Sequence, residues 1–298
     1  MRVFLTGATG FIGSAVTRLL LDAGHTVVGL ARSEQSATAL AAIGAEAHPG
    51  DLGDLDALRA GAGAADGVIH TAFIHDFADY AAASLTDLRA IGAMGEALAG
   101  SGRPFVVTSG TAGLTQGTLA TEDTPADPAV PGALRAPSEQ AALALAERGV
   151  RASVVRLPPS VHGPGDKGFV PALIRIAREK GAAAYVGDGG NRWPSVHRLD
   201  AARLFRLALE RAPAGARLHG VADEGVPFRD IAGAIGRGLA VPVESLAADA
   251  ALDHFGWLGT FAMSDVPASS ALTRELLDWH PDQPGLLADL EEGFYFRA

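Results

Sequence analysis

The sequence contains no cysteine and only two lysines, Lys167 and Lys180, among its 298 residues. The absence of cysteine excludes disulfide frameworks, zinc–thiolate sites and cysteine nucleophiles. No apolar run reaches the roughly 18–20 residues that a transmembrane helix needs, and no basic start leads into an apolar signal stretch. We therefore expect a cytoplasmic protein that has no membrane partner.

Positive charge is also scarce, because 34 acidic residues stand against 24 basic ones. A net charge of −10 argues against nucleic acid and against anionic membranes as partners. The 48% hydrophobic share excludes a disordered acidic tail and supplies a full core. His162, Asp166 and His197 lack a metal-ligand spacing, so we expect no metal site. The expected partner is a small-molecule substrate, and the expected assembly is a monomer or homodimer.

Short apolar strands alternate with helical stretches through the first half of the chain. Strands that are apolar throughout predict a parallel sheet covered on both faces by helices. The predicted strands are Val3–Thr6, Thr26–Ala31, Ala45–His48, Gly67–His70, Pro104–Thr108 and Ala152–Leu157. The predicted helices between them are Ile12–Ala23, Ser33–Ile43, Phe77–Gly100 and Ser138–Arg148. After Leu157, residues 158–165 and 187–191 are predicted loops.

A glycine-rich loop follows the first predicted strand. Gly7 permits a tight turn, Gly10 lets the backbone approach a pyrophosphate, and Gly13 allows the helix to pack closely on the strand. A helix N-terminus offers free N–H groups and a positive dipole end, so the loop predicts a dinucleotide site. We assign the following residues to this site: Gly7, Thr9, Gly10, Phe11, Ile12 and Gly13.

The GxxGxxG spacing of this loop resembles the extended short-chain dehydrogenase/reductase superfamily, including its NAD-dependent epimerase/dehydratase families. Further segments resemble the superfamily in the same order along the chain, namely residues 68–72, 107–109, 187–202 and 276–281. The resemblance implies an α/β fold: a Rossmann-type doubly wound parallel sheet with a smaller C-terminal substrate-binding lobe. We expect the Rossmann domain to span residues 1–157, with 192–222 returning to it, and the lobe to comprise residues 158–191 and 223–298.

The second strand bears on which dinucleotide binds. An acid at its end would bind the ribose 2′-hydroxyl of NAD. Arg32 stands there instead, and a guanidinium suits the 2′-phosphate of NADP. The sequence therefore predicts NADP, with NAD as the other possibility because Glu34 is close.

The resemblance also implies cofactor contacts elsewhere. It places Asp51 and Leu52 at the adenine, although a helix-capping role for the aspartate is equally open. The contacts implied after the later strands are Thr71, Ala72, Phe73, Thr108 and Pro159.

The catalytic pair usual in this superfamily is a tyrosine followed four residues later by a lysine. No tyrosine in the chain has a lysine at that distance. The corresponding positions hold Arg135 and Glu139. Arginine does not lose its proton in proteins and cannot act as a general base, whereas Glu139 could accept hydrogen bonds from ribose hydroxyls. The departure resembles the atypical subgroups that keep the glycine loop and lack the usual active-site residues.

A replacement for the tyrosine is expected among residues after the fourth, fifth and sixth strands, which the resemblance places at the nicotinamide end. His162 is the first candidate because the intrinsic pKa of histidine lies near neutrality. Lys167 lies on the same loop, and Ser109 or Thr111 could orient a substrate carbonyl. Local hydrogen bonding is the alternative role for these hydroxyls.

The leading hypothesis is an NADP(H)-dependent oxidoreductase that acts on a small carbonyl or alcohol. Two alternatives stay open: a non-catalytic NADP(H)-binding redox sensor similar to NmrA-like regulators, and a nucleotide-sugar epimerase or dehydratase. The missing tyrosine and lysine favour the sensor. The histidine and lysine of the segment 158–168 favour an enzyme.

Overall fold

The computed structural model describes residues 1–75 and 79–297. Strands and helices alternate through the first half, in agreement with the apolar pattern. In chain order they are β1 (Arg2–Thr6), α1 (Phe11–Asp22), β2 (Thr26–Ala31), α2 (Glu34–Ala42), β3 (Glu46–Pro49), α3 (Leu55–Gly63), β4 (Gly67–His70), α4 (Tyr80–Leu98), β5 (Pro104–Gly110), α5 (Ala136–Ala144) and β6 (Arg151–Leu157).

The second half mixes short strands with helices of varied length. Its elements are β7 (Ser160–His162), α6 (Phe169–Lys180), β8 (Ala183–Val186), β9 (Arg192–His197), α7 (Arg198–Arg211), β10 (Ala216–His219), β11 (Asp223–Pro227), α8 (Phe228–Leu239), β12 (Val243–Leu246), α9 (Ala251–Phe255), α10 (Gly259–Ala262), α11 (Ala271–Leu277) and α12 (Leu286–Glu291).

Seven parallel strands form the main sheet, in the order β10-β6-β5-β4-β1-β2-β3. The direction of strand addition reverses between β1 and β4, because β2 and β3 extend one way and β5 and β6 the other. In open α/β sheets the crevice at the carboxyl ends of such strands is where ligands bind. The predicted Rossmann-type sheet is confirmed, and its topology directs attention to the ends of β1 and β4.

Helices cover both faces of this sheet. On one face α1 packs against α7, and the core there includes Phe205 and Trp279, both fully buried. On the other face α3 packs against α4 over the side chains of Phe4 and Phe105. Burial of both faces explains why the central strands β1, β4 and β5 contain continuous apolar runs rather than alternating residues, whereas the edge strand β3 is mostly exposed.

A second lobe has its own core around Trp193 and Phe228, which lie 4.9 Å apart between ring centroids. It contains two small sheets, one of β11, β9 and β7 and one of β12 and β8. The chain returns from this lobe to the main sheet with α7 and β10. Strand β9, at residues 192–197, lies in the lobe's three-stranded sheet instead.

Two local expectations differ from the structure, and a third lies outside the described residues. The predicted loop over residues 158–165 contains strand β7, which pairs with β9 through Ser160 and Ser195. The bounds of helix α3 were not predicted, although a helix was expected after Asp51, because glycines at positions 61 and 63 weaken the helical signal. The predicted start of the fourth-strand helix at Phe77 lies outside the described residues.

Within the described part of the chain, no helix combines the length and hydrophobicity needed to cross a bilayer. The same residues contain no group of three or more histidine, aspartate or glutamate side chains placed to hold a metal ion.

Candidate functional site

The glycine-rich loop joins β1 to α1, as predicted, and its glycines are sterically required. Gly7 has φ +73°, the left-handed region that favours glycine. A Cβ on Gly7 would lie 2.8 Å from the amide nitrogen of Ala72 and from Oγ1 of Thr71. A Cβ on Gly13 would lie only 2.0 Å from the carbonyl oxygen of Gly7. The loop therefore packs against the end of β4 and against the first turn of α1 with no room for side chains.

The first turn of α1 has no side-chain acceptor. Gly10 is the N-cap residue, no side chain caps the helix, and its first turn has no acidic residue. Thr9 and Gly10 are exposed, while Phe11 and Ile12 are half-buried. The N–H groups at the start of α1 are thus available to an anion, which the helix dipole also favours.

A buried chain of hydrogen bonds joins this loop to the end of β4. Oγ1 of Thr6 lies 2.7 Å from Nδ1 of His70, and Nε2 of His70 lies 3.1 Å from Oδ1 of Asp87 on α4. Thr71 adds a bond of 2.8 Å from its hydroxyl to the carbonyl of Thr6. Thr6, His70 and Asp87 are at most 1% exposed, so these bonds rigidly fix the switch point, the place between β1 and β4 where the direction of strand addition reverses.

The positions at the ends of β2 and β3 are exposed. Arg32 follows β2 and has no ion pair within the described residues, while Ser33 caps α2. Asp51 accepts hydrogen bonds from the backbone of Gly53 at 2.7 Å and of Asp54 at 3.2 Å. The cap of α3 is Asp54 rather than Asp51, so the capping role considered for Asp51 is wrong. Leu52, half-buried, packs on the core under this loop.

Arg135, at the position of the usual tyrosine, is held at the carboxyl edge of the sheet. Its Nη2 donates to the carbonyl of Thr108 at 2.8 Å and lies 3.6 Å from Oδ1 of Asp87. Its guanidinium carbon lies 4.3 Å from the centre of the Phe73 ring. Its Nε is buried and has no hydrogen-bond partner in the described residues. Arg135 therefore joins the segment after β4, the end of β5 and α4 at one point.

The charge of Arg135 acts on its neighbours. Burial opposes ionisation of the Asp87 carboxyl, but the hydrogen bond from His70 and the charge of Arg135 outweigh it and lower the pKa of Asp87. His75 is exposed at its surface, but desolvation by the surrounding protein lowers its pKa, and the charge of Arg135 lowers it further. An ionised Asp87 thus stabilises a cationic Arg135, and a neutral His75 imidazole lies in the field of that cation.

Glu139, at the position of the usual lysine, forms a buried ion pair with Arg156 of β6. Nη2 of Arg156 lies 2.5 Å from Oε1 of Glu139, and Nε lies 3.1 Å from both carboxylate oxygens. Burial opposes ionisation of Glu139, but Arg156 and a hydrogen bond from Ser109 lower its pKa overall. The carboxylate predicted to accept ribose hydroxyls is thus already engaged by Arg156 and Ser109.

The same arginine joins two further segments of the chain, and His219 links the second of them to Ser269. Nη1 of Arg156 donates to the carbonyls of Glu122 at 3.2 Å and Thr124 at 3.0 Å, and lies 3.3 Å from Nε2 of His219. Nδ1 of His219 lies 2.7 Å from the carbonyl of Ser269, which fixes the Nδ1–H tautomer. Burial lowers the pKa of His219 to about 4, although the charge of Glu122 opposes the shift.

The proposed proton donors differ in burial and in hydrogen bonding. His162 is fully buried in β7, where its Nδ1 lies 2.6 Å from Oδ2 of Asp289 on α12 and its Nε2 has no described partner. Lys167 is exposed on the following loop, and Pro159 is half-buried. The hydroxyl of Thr111, just after β5, is buried without a hydrogen-bond partner in the described chain. The burial of His162 favours a structural role, and its role as a proton donor stays a prediction.

Sequence reasoning did not find the residues that fix Arg135 and Glu139. Asp87, His70 and Arg156 are separated from their partners by 17 or more residues, and periodicity gives no signal for such pairs. One available signal was a charged residue next to the valines of a buried strand. Arg156 interrupts the apolar run of β6 in this way.

Comparison with known proteins places this geometry in a family. Residues 3–219 match the model of the NAD dependent epimerase/dehydratase family. An uncharacterised protein of Schizosaccharomyces pombe is 51% identical over 299 residues, covering 99% of this chain and all of that protein. The 2-alkyl-3-oxoalkanoate reductase of Stenotrophomonas maltophilia is 29% identical over 246 residues, covering 78% of this chain and 73% of that enzyme.

A solved structure with the same fold carries a bound dinucleotide. The dTDP-glucose 4,6-dehydratase DesIV of Streptomyces venezuelae, with NAD and TYD bound, superposes with a TM-score of 0.80 at 21% identity. The match covers 99% of this chain and 96% of that one. The matched span, the parallel sheet and the glycine-rich loop at its switch point agree: the chain belongs to the NAD dependent epimerase/dehydratase family.

Proposed function

We propose that the protein is an NADP(H)-dependent oxidoreductase that acts on a small carbonyl or alcohol substrate. The observation that carries the proposal is the glycine-rich loop, where a Cβ on Gly13 would lie 2.0 Å from the Gly7 carbonyl, beside an uncapped helix N-terminus. When bound, a nicotinamide dinucleotide supplies or accepts a hydride. The reductase of Stenotrophomonas maltophilia, whose name specifies an oxo-acid substrate, supports carbonyl chemistry for this chain.

The described residues divide between the two halves of the dinucleotide. Gly7, Gly10 and Gly13, with the first turn of α1, would hold the pyrophosphate. Arg32 would bind a 2′-phosphate, because it is exposed and has no ion pair in the described chain. The residues proposed for the adenine and nicotinamide sides are Asp51, Leu52, Thr71, Ala72, Phe73, Thr108 and Pro159.

Arg135 is proposed to bind the substrate oxygen at the nicotinamide end. It is permanently protonated, so it donates hydrogen bonds to an oxygen that gains negative charge but does not give up a proton. Thr111 supports this placement, because its buried hydroxyl lies on the segment that follows β5 and lacks a partner in the described residues. Asp87 positions Arg135 rather than contacting substrate.

Cofactor preference tests the proposal directly. We expect calorimetric titration to give tighter binding of NADPH than of NADH. Arg32→Ala should weaken NADPH binding by about 1.5–3 kcal/mol, because a charge-assisted hydrogen bond is lost, and should leave NADH binding unchanged. Arg18→Ala, which removes another exposed arginine, serves as the control. Equal affinities for the two nucleotides in the wild type would contradict the assignment of Arg32.

Turnover separates an enzyme from a sensor. The protein is expected to oxidise NADPH when a panel of ketones, aldehydes and 3-oxo acids is supplied. Binding of NADPH without turnover of any carbonyl, in either direction, would instead support the redox sensor. Failure to bind any nicotinamide dinucleotide would refute both functions.

A further inference from the structure

Helices α1 and α7 lie side by side and begin at the same edge of the sheet. The guanidinium carbon of Arg198, the first residue of α7, lies 5.1 Å from the ring centre of Phe11, the first residue of α1. Near their other ends, Nε2 of His25 lies 3.2 Å from Oε1 of Glu210. Because both pairs of ends meet, the helices run parallel. The start of α7 therefore lies beside the glycine-rich loop.

Arg198 is fixed at this position. Its Nη1 donates to the carbonyl of Pro164 at 2.9 Å, while Phe11 faces the guanidinium from the other helix. Gly163, with φ +129°, packs so closely that a Cβ there would lie 3.2 Å from Cγ of Arg198. The side chain is half-buried, so the guanidinium is both restrained and accessible.

The charge of Arg198 is not compensated by a carboxylate. Two other arginines of the same helix are paired, Arg203 with Asp200 and Asp282 and Arg206 with Glu210, whereas Arg211 at its far end has no ion pair in the described chain. Across residues 1–75 and 79–297, no carboxylate lies within 4.0 Å of Arg198, and its Nε and Nη2 have no acceptor. In a chain of net charge −10, a restrained arginine without an acidic partner is free to bind an anion from outside the protein.

We propose that Arg198 binds the pyrophosphate of the dinucleotide together with the first turn of α1. The inference rests on the proposed function, since it requires that a dinucleotide occupies the loop. The backbone N–H groups of α1 supply neutral donors, whereas Arg198 supplies a full positive charge and a planar set of donors that matches phosphate oxygens. Arg198 is contributed by α7, so the cofactor would be held from two helices and not only from the glycine-rich loop.

The test compares ligands with and without a pyrophosphate. Calorimetric titration of NADPH and of adenosine 2′-phosphate is performed on the wild type, Arg198→Ala, Arg198→Lys and the control Arg206→Ala. We expect Arg198→Ala to raise the Kd for NADPH at least about tenfold, the loss typical of a charge-assisted contact. The Kd for adenosine 2′-phosphate, which lacks the pyrophosphate, should not change. The Kd of Arg198→Lys for NADPH should lie between those of the wild type and Arg198→Ala, and the Kd of Arg206→Ala should match that of the wild type.

Salt gives a second readout. Because Arg198 contributes charge, NADPH binding by the wild type should weaken more steeply with added salt than binding by Arg198→Ala. An unchanged Kd for NADPH in Arg198→Ala would overturn the inference while leaving the proposed function intact. An equal loss of affinity for NADPH and adenosine 2′-phosphate would also overturn it, since that result indicates a distorted fold. A wild type that binds neither ligand would overturn both the inference and the proposed function.

Discussion

Removal of the Arg156 guanidinium should destabilise the protein more than most single substitutions. Arg156 is 1% exposed and bonds the Glu139 carboxylate through Nε and Nη2 and the carbonyls of Glu122 and Thr124 through Nη1. Arg156→Leu leaves Glu139 buried with only the Ser109 hydroxyl and Nε of Arg217, at 3.6 Å, as partners. Breaking a buried ion pair from one side costs about 3–5 kcal/mol.

A loss of unfolding free energy of this size can be measured by denaturant titration. Equilibrium unfolding in urea at pH 7 should show a loss of about 3–5 kcal/mol for Arg156→Leu, with an unchanged dependence on denaturant. At about 2–4 °C per kcal/mol, the melting temperature should fall by roughly 6–20 °C. The double variant Glu139→Leu/Arg156→Leu removes both charges, so it should lose less than Arg156→Leu despite the two carbonyls left without donors.

The double variant also provides the refutation. If Arg156→Leu lost under about 1 kcal/mol, the pair would be solvated and the burial argument wrong. Losses in the double variant equal to the sum of the two single variants would show that the two charges do not interact. Either result would remove the reason given for a glutamate at position 139.

Three further outcomes are expected. Gly13→Ala should abolish NADPH binding in a titration and lower the free energy of unfolding by about 1–3 kcal/mol, because its Cβ would lie 2.0 Å from the Gly7 carbonyl. The control Gly92→Ala lies on α4, where a Cβ would have nothing within 4 Å, so it should leave the free energy of unfolding unchanged or raise it. His219 has a folded pKa of about 4, below its ordinary value, so its neutral form stabilises the fold above about pH 6.5. This contribution, about 3 kcal/mol, is lost as the pH falls toward 4. In urea titrations, the difference in unfolding free energy between wild type and His219→Asn should therefore narrow over that pH range. His162→Ala should cut turnover by about 10²–10⁴-fold if His162 is the proton donor; a loss of stability with full turnover would assign it to the bond with Asp289.

The main sheet was predictable because its signal is local. Each strand from β1 to β6 except the exposed edge strand β3 carries an apolar run, and the glycine spacing at positions 7, 10 and 13 marks the turn into α1. The extent of helix α3 was not predicted because Gly61 lowers helical propensity. A Cβ there would lie 2.5 Å from the Phe4 ring, so glycine is required by close packing of helix on sheet. The requirement for glycine at position 61 comes from a tertiary contact, which a short window of sequence does not show.

The positions of the candidate site residues could be predicted from the sequence, but the residues that they bind could not. The sequence identified Arg135 and Glu139 as replacements for the usual pair, since both lie at fixed offsets from Ser138. It did not identify what holds them. Strand β7 was hidden for the same reason: two prolines precede it, and its partner β9 lies about 35 residues along the chain. Pairings of this kind depend on the whole fold and leave no periodic pattern.

The order of strands in the main sheet has a consequence for folding during synthesis. Strand β6 is an edge until β10, about 60 residues later, pairs with it, and the chain builds β7, α6, β8, β9 and α7 in between. A nascent chain that ends before residue 216 therefore exposes the backbone of β6, which other chains can pair with. A fragment of residues 1–157 should aggregate for this reason, whereas one that ends after His219 has the complete seven-stranded sheet, in which the shorter β10 replaces β6 as the edge strand. Completion of the sheet, late in translation, is then the step that protects the protein from aggregation.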